Sequence, residues 1–144
     1  MTEYPHHYTV SAAAGLEGEV ALDSARLQTL RSASPAEFGG PGDRWSPETL
    51  LVAAVADCFI LTFRAVAQAS KVSWTSLACE VEGTLDRVER AAQFTRFDIR
   101  AHLTVPEGVD RERADRALHK AESACLITNS LKAACELTTT IDAG

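Results

Sequence analysis

The strongest constraint in this chain is a run of helix-forming, mostly apolar residues, PETLLVAAVADCFILTFRAVAQASK, from residue 47 to about Lys71. Ser46 is a good N-cap, and Pro47 suits the first helical position because its missing N–H would go unpaired there anyway. Glu48 follows in the first turn, where a negative charge complements the helix dipole. Leu51, Val55, Cys58, Thr62, Ala65 and Ala69 trace one face, and Leu50, Ala54, Leu61 and Val66 widen it. Phe59 and Ile60 then leave little polar surface. A helix that is apolar on nearly all sides is a buried one. The chain has only 144 residues, so one core can hardly cover such a helix, and a partner subunit is expected to help.

The remaining segments alternate in polarity, as half-buried strands do. Cys79, Val81, Gly83 and Leu85 share one face of a strand. Phe97, Ile99, Ala101, Leu103 and Val105 share one face of another, opposed by Asp98, Arg100, His102 and Thr104. The link DRVERAAQ, residues 86–93, reads as their hairpin connection. Residues 6–13, 17–22 and 26–31 read as three short strands, with a glycine turn at Gly15 to Gly18. Residues 34–47, rich in Gly and Pro, read as a long loop, and long ordered loops are often functional. Residues 110–124 form an amphipathic helix capped by Asp110, with Ala114, Ala117, Leu118 and Ala121 inward. A short helical turn is expected at 129–132, and a last strand spans Cys135 to Ile141. The order β-β-β-α-β-β-α-β predicts a single α+β domain over residues 1–144, with antiparallel sheets packed on a long buried central helix.

Apolar residues make up 46% and charged residues 24%, an ordinary globular mix that excludes a disordered or collagen-like chain. Acidic residues (20) outnumber basic ones (14) for a net charge of −6, so nucleic acid is not an expected partner. No apolar run reaches the roughly 18 residues of a membrane span. The opening MTEYPHHYTV lacks the basic-then-apolar pattern of a secretion signal, so a cytoplasmic location is expected. There the four cysteines, Cys58, Cys79, Cys125 and Cys135, should be free thiols. None forms a C-x-x-C pair, and no histidine pair completes a zinc set, so no metal is expected. His6, His7, His102 and His119 show no spacing that pairs them with a cysteine.

Taken singly, each cysteine reads as a small core residue. Taken together, Cys58 and Cys125 allow thiol redox chemistry. A thiolate can attack a peroxide oxygen and become a sulfenic acid, and a second thiol can condense with it to a disulfide. Such chemistry needs a lowered thiol pKa and an apolar wall for the substrate. Neighbouring Asp57 works against the first requirement, so an arginine from elsewhere is expected to approach.

The segment SPETLLVAAVADCF resembles the first motif of the OsmC/Ohr family, the osmotically induced and organic hydroperoxide resistance proteins. In that motif Ser or Asn, Pro and Glu open a long helix, and the peroxidatic cysteine follows ten residues after the Glu. Glu48 and Cys58 keep this spacing. ACLITNSL resembles the second motif around its second cysteine, with Leu126 where most members have Pro. The element order also agrees. The resemblance implies a thiol-dependent peroxidase for organic hydroperoxides, with Cys58 peroxidatic and Cys125 resolving. It implies an intertwined homodimer with sites at the subunit interface, and a dithiol reductant such as a dihydrolipoyl group. It implies no cofactor: no metal, haem or flavin.

Glu48 matches the family carboxylate that orients an activating arginine. One branch carries that arginine in a Gly-Arg-Asp/Glu-Gly turn, where this chain reads GLEG with Leu16. In the other branch it comes from the loop before the helix, where Arg44 and Arg31 are the candidates and Arg44 is preferred, because it lies four residues before Glu48. Trp45 walls the pocket or packs the loop. Val55, Phe59 and Thr62 are the expected lining of an apolar pocket. The alternative is a protein of the same fold that binds a small molecule, or serves as a stress-associated dimer, with little peroxide chemistry.

Overall fold

The computed structural model describes residues 3–144. The chain divides into two compact units, residues 1–50 and 51–144.

In the first unit, β1 (Ser11–Ala13), β2 (Val20–Asp23) and β3 (Leu30–Ser32) form an antiparallel sheet in that order. These strands are shorter than the alternation predicts. The strand expected over 6–13 pairs only at its end, and the one over 26–31 begins at Leu30. Few of their side chains are buried, so alternation there records little packing. Ser32 forms a bridge to Trp45, and the Ala33 N–H donates to the Trp45 carbonyl at 2.8 Å. The loop between them is thereby closed, with one 3-10 turn at Ala36–Phe38. Gly40 permits the closure, since a Cβ there would lie 1.6 Å from the Ser34 carbonyl oxygen.

The helix α1 (Pro47–Ser70) starts where the sequence places it and runs without interruption. Ser46 is buried, and its hydroxyl accepts the Thr49 N–H at 3.1 Å while the Ser46 N–H donates to the Thr49 hydroxyl at 2.9 Å. This is a reciprocal cap, with Thr in the position Glu usually fills.

In the second unit, β4 (Ser76–Val88) and β5 (Ala91–Val105) pair antiparallel along their full length, and β6 (Ala134–Ala143) adds to the other edge of β5. The expected eight-residue connection shrinks to Glu89 and Arg90, both with positive φ (50° and 74°), as a two-residue hairpin turn of matching twist requires. The last strand departs from the antiparallel expectation: β6 runs parallel to β5, from Arg96↔Ala134 to Val105↔Ala143. Alternation has the same period in either direction, and only a crossover connection decides. Here α2 (Arg111–Ala124) and α3 (Leu126–Asn129) supply it. The short helical turn lies at 126–129, earlier than the expected 129–132. Asp110 caps α2 as predicted, accepting the Glu112 N–H at 2.9 Å.

The core of this unit joins Val55, Phe59, Phe63 and Ala67 of α1 to Phe97, Ile99, Leu103 and Val105 of β5 and Ala114, Leu118 and Ala121 of α2. The buried stripe of α1 is therefore i, i+4, i+8 on Val55. It is not the face through Cys58, Thr62 and Ala65 that the pattern favoured. The helix meets the sheet closely at Gly83, where a Cβ would sit 2.9 Å from Val52 and 3.0 Å from Phe94 and Phe97. Opposite the core, β4–β6 carry ion pairs on solvated side chains, Arg100–Glu80 (3.1 Å) and Arg96–Glu136 (2.7 Å), and a His102–Asp142 hydrogen bond (2.6 Å).

α1 is long and apolar enough to cross a membrane by length and composition. Its core stripe in the second unit accounts for that character. Its remaining apolar side chains are only partly covered, and Leu61 is 51% exposed.

Candidate functional site

Within residues 51–144, Cys58 and Cys125 come together. Cys58 sits in mid-α1, one position before Phe59, so it lies off the buried stripe and at the base of an open crevice of about 430 Å³. Ala54, Leu61 and Ala65 of α1 form one apolar wall, and Leu126 and Ile127 of α3 form the other. Thr62, one turn on, places its hydroxyl 3.7 Å from the Cys58 sulfur. Val55 and Phe59, expected as lining, are instead fully buried in the core. They share one helix with Cys58, but Phe59 is turned about 100° from it and Val55 about 60°, both toward the core side.

Cys125 lies at the corner where α2 ends and α3 begins, and is 1% exposed. Its backbone is held by a ring of bonds: its N–H donates to the Glu122 carbonyl (3.3 Å), and its carbonyl accepts from the Asn129 N–H (3.0 Å) and the Thr128 hydroxyl (3.2 Å). Its thiol and that of Cys58 influence each other's acidity. All four cysteines are free thiols.

The two sulfurs differ in acidity. Burial works to raise the Cys58 thiol, but the Ile127 and Leu126 N–H groups, the Cys125 thiol and the Thr62 hydroxyl outweigh it and hold Cys58 below the ordinary thiol value. Burial raises Cys125, and its bond to Cys58 raises it further, against donors at Thr128 and Ile127. Of the two, Cys58 is thus the more acidic and Cys125 the less. Asp57 lines the crevice, yet it is not among the groups that shift Cys58. The donors on α3 are backbone amides. Spacing alone does not reveal them, and a helix start directly after Cys125 is the available sequence signal.

In residues 1–50, Arg44 is ion-paired with Glu19, and with Asp43 at 3.7 Å. It does not pair with Glu48. The Glu48 Oε1 atom is buried and has no hydrogen-bond partner among the described residues. Arg31, Arg44, Trp45 and Thr49 line an open pocket of about 320 Å³, where Trp45 is 48% exposed. Among the described residues Arg31 makes no ion pair. Leu16, in the GLEG turn, is fully exposed. No three His, Cys, Asp or Glu side chains among the described residues are grouped to hold a metal.

The comparisons with known proteins settle the lineage. Residues 40–140 match the model of the OsmC-like protein family. This chain belongs to the OsmC-like family. Among curated relatives, an uncharacterized protein of Bacillus subtilis, YmaD, is 27% identical over 92% of this chain and 91% of its own. The peroxiredoxin OsmC of Escherichia coli is 28% identical over 61% of each chain. Among solved structures, an organic hydroperoxide resistance protein OsmC from Legionella pneumophila superposes with a TM-score of 0.76 at 25% identity. That match covers 97% of this chain and 99% of the other. The OsmC-like fold, with two sheets and a long helix, thus spans the chain, and members of its family are named for peroxiredoxin activity and hydroperoxide resistance.

Proposed function

We propose that this OsmC-like protein is a thiol peroxidase for organic hydroperoxides in the reducing cytoplasm. The observation that carries the reading is the Cys58–Cys125 pair: a thiol held below its ordinary pKa and lining an apolar crevice, interacting with a second thiol held above it. The Cys58 thiolate attacks the outer oxygen of RO–OH. The O–O bond breaks, Cys58 becomes a sulfenic acid, and the alkoxide takes up a proton to leave as ROH. Cys125 then attacks the sulfenic sulfur, forming a disulfide and expelling water. An external dithiol, of the lipoyl kind or another, returns both cysteines to thiols. The crevice volume suits an alkyl or aryl group of modest size, and no nucleic acid or membrane enters the cycle.

In this reading Thr62 positions the Cys58 thiolate, and the activating arginine is Arg31, because Glu19 and Asp43 already engage Arg44. Glu48, with its unpaired buried oxygen, serves to orient a guanidinium, since leaving it unmatched costs about 1–3 kcal/mol. Trp45 walls the pocket that Arg31 and Arg44 line. The test is the rate of Cys58 oxidation by cumene hydroperoxide as a function of pH. Only the thiolate reacts, so the wild-type rate should rise through a midpoint below the usual thiol pKa of about 8.5 and then level off. Thr62→Val removes a donor to the anion and should move that midpoint upward. Arg31→Ala should slow the plateau rate severalfold, and Arg44→Ala should leave it nearly unchanged. A midpoint at or above the ordinary thiol value, with slow oxidation, would instead favour the small-molecule binder, the reading that the exposed Leu16 of the GLEG turn supports.

The protein is further proposed to work as an intertwined homodimer. Leu61 (51% exposed) and Leu126 (67% exposed) leave an apolar surface that a second copy would cover. Sedimentation equilibrium should return twice the chain mass at micromolar concentration, and the single-chain mass would refute the dimer.

A further inference from the structure

A second crevice, of about 310 Å³, opens where the end of α1 meets α2. Ser70 and Val72 line one side, and Arg113, Arg116, Ala117 and Lys120 of α2 line the other. Val72 and Ala117 are buried and give it an apolar floor. The three cations stand at i, i+3 and i+7 on α2, so they share one helix face. No carboxylate among the described residues lines this crevice, in a chain whose net charge is −6. Ser70 lies twelve residues after Cys58, which puts the crevice about 18 Å from that thiol along the α1 axis.

The cluster is unfavourable while it stands alone. Like charges three and four positions apart on a helix repel, and Arg113 stands in the first turn of α2, where the helix dipole disfavours a cation. None of the three makes an ion pair among the described residues. The nearby acids Glu112 and Asp115 line a different crevice, which shares only Arg116 with this one. Asp115 is already engaged, accepting the Thr139 hydroxyl at 2.6 Å. Arg113 donates one guanidinium N–H to the Ser70 carbonyl. A guanidinium has five such donors, so this bond fixes Arg113 against the end of α1 and leaves donors for a ligand.

We infer that this crevice binds a small soluble phosphate monoester. Two guanidinium groups supply planar, paired donors and the Lys120 ammonium a point charge, a set that matches the oxygens and the near-double charge of a phosphate monoester. A carboxylate, with two oxygens and a single charge, would leave part of the cluster unmatched. The volume leaves room beside the phosphate for an organic group of modest size over Val72 and Ala117. No residue of this crevice belongs to the thiol site, so binding here does not depend on the peroxidase reading.

Isothermal titration of the full chain with phenyl phosphate tests the site, in about 150 mM sodium chloride, where a Debye length of about 8 Å screens diffuse attraction. The expected result is saturable one-to-one binding that inorganic phosphate displaces. Arg116→Gln combined with Lys120→Gln, both at exposed positions where substitution costs little stability, should weaken binding about tenfold or more through the loss of two charge-assisted bonds, with a thermal midpoint near that of the wild type. Heat that never saturates at this salt concentration, or equal affinity in the double variant, would overturn the site. Benzoate binding as tightly as phenyl phosphate would overturn the phosphate assignment. Co-sedimentation with phosphatidic acid vesicles that the double variant abolishes would make the phosphate a lipid's and overturn the soluble ligand.

Discussion

Replacing Cys58 by serine should abolish turnover of cumene and tert-butyl hydroperoxide, down to the rate in buffer with the dithiol alone. A serine hydroxyl remains protonated at neutral pH, so the donors that hold the Cys58 thiolate have no anion to stabilise. Cys125→Ala should behave differently. One equivalent of hydroperoxide should still be consumed, because Cys58 can still become a sulfenic acid, but disulfide formation and recycling should cease. A coupled assay following dithiol consumption, beside a stoichiometric titration of peroxide, separates the two variants. Full turnover by Cys58→Ser would end the assignment of Cys58 as the peroxidatic residue. Multiple turnovers by Cys125→Ala at the wild-type rate would remove Cys125 from the cycle.

Phe59→Ala should damage the fold rather than substrate binding. Phe59 is fully buried against the sheet and α2, and deleting such a ring costs about 3–5 kcal/mol in lost transfer energy and residual cavity. For a protein of this size the thermal midpoint should fall by about 10 °C or more. Phe59→Leu, which keeps most of the apolar volume, should fall less and remain assayable, with its Michaelis constant for hydroperoxide near that of the wild type. Leu61→Ala makes the contrast. It removes a wall of the crevice that is only half-buried within the protomer and should cost less stability than Phe59→Ala while changing that Michaelis constant. Thermal melts beside steady-state kinetics decide. A small loss of stability in Phe59→Ala with a large change in the Michaelis constant would put Phe59 in the crevice after all.

Phe59 and Leu61 show where reading the sequence stops. The helix over Pro47–Ser70 was legible in detail: its cap, its first turn and its length follow from Ser46, Pro47 and an unbroken run of helix formers. Which of its faces meets the core was not. When nearly every position is apolar, the 3.6-residue period has no polar face to set its phase, and the stripe through Val55, Phe59 and Phe63 was indistinguishable from the one through Cys58. The strands show the same limit. β5 was legible to the residue on its buried face, but alternation does not encode direction, so the parallel pairing of β6 appears only with the crossover through α2.

The site divides likewise. The motif resemblance pointed to Cys58 and Cys125, while the backbone amides of Leu126 and Ile127 carry no signature in side-chain chemistry. The pairing of Arg44 with Glu19 joins positions far apart in the chain, beyond any local pattern.

By itself the sequence determined the elements: an α+β chain with one dominant apolar helix, alternating strands, and two thiols at motif positions. These are local properties, set by propensity, capping and periodicity within a few residues. Only the tertiary structure decided which helical face is core, which way the last strand runs, and which of the two sulfurs is the more acidic. Those outcomes depend on contacts between distant segments, where burial and hydrogen-bond donors from one element set the acidity of a group on another.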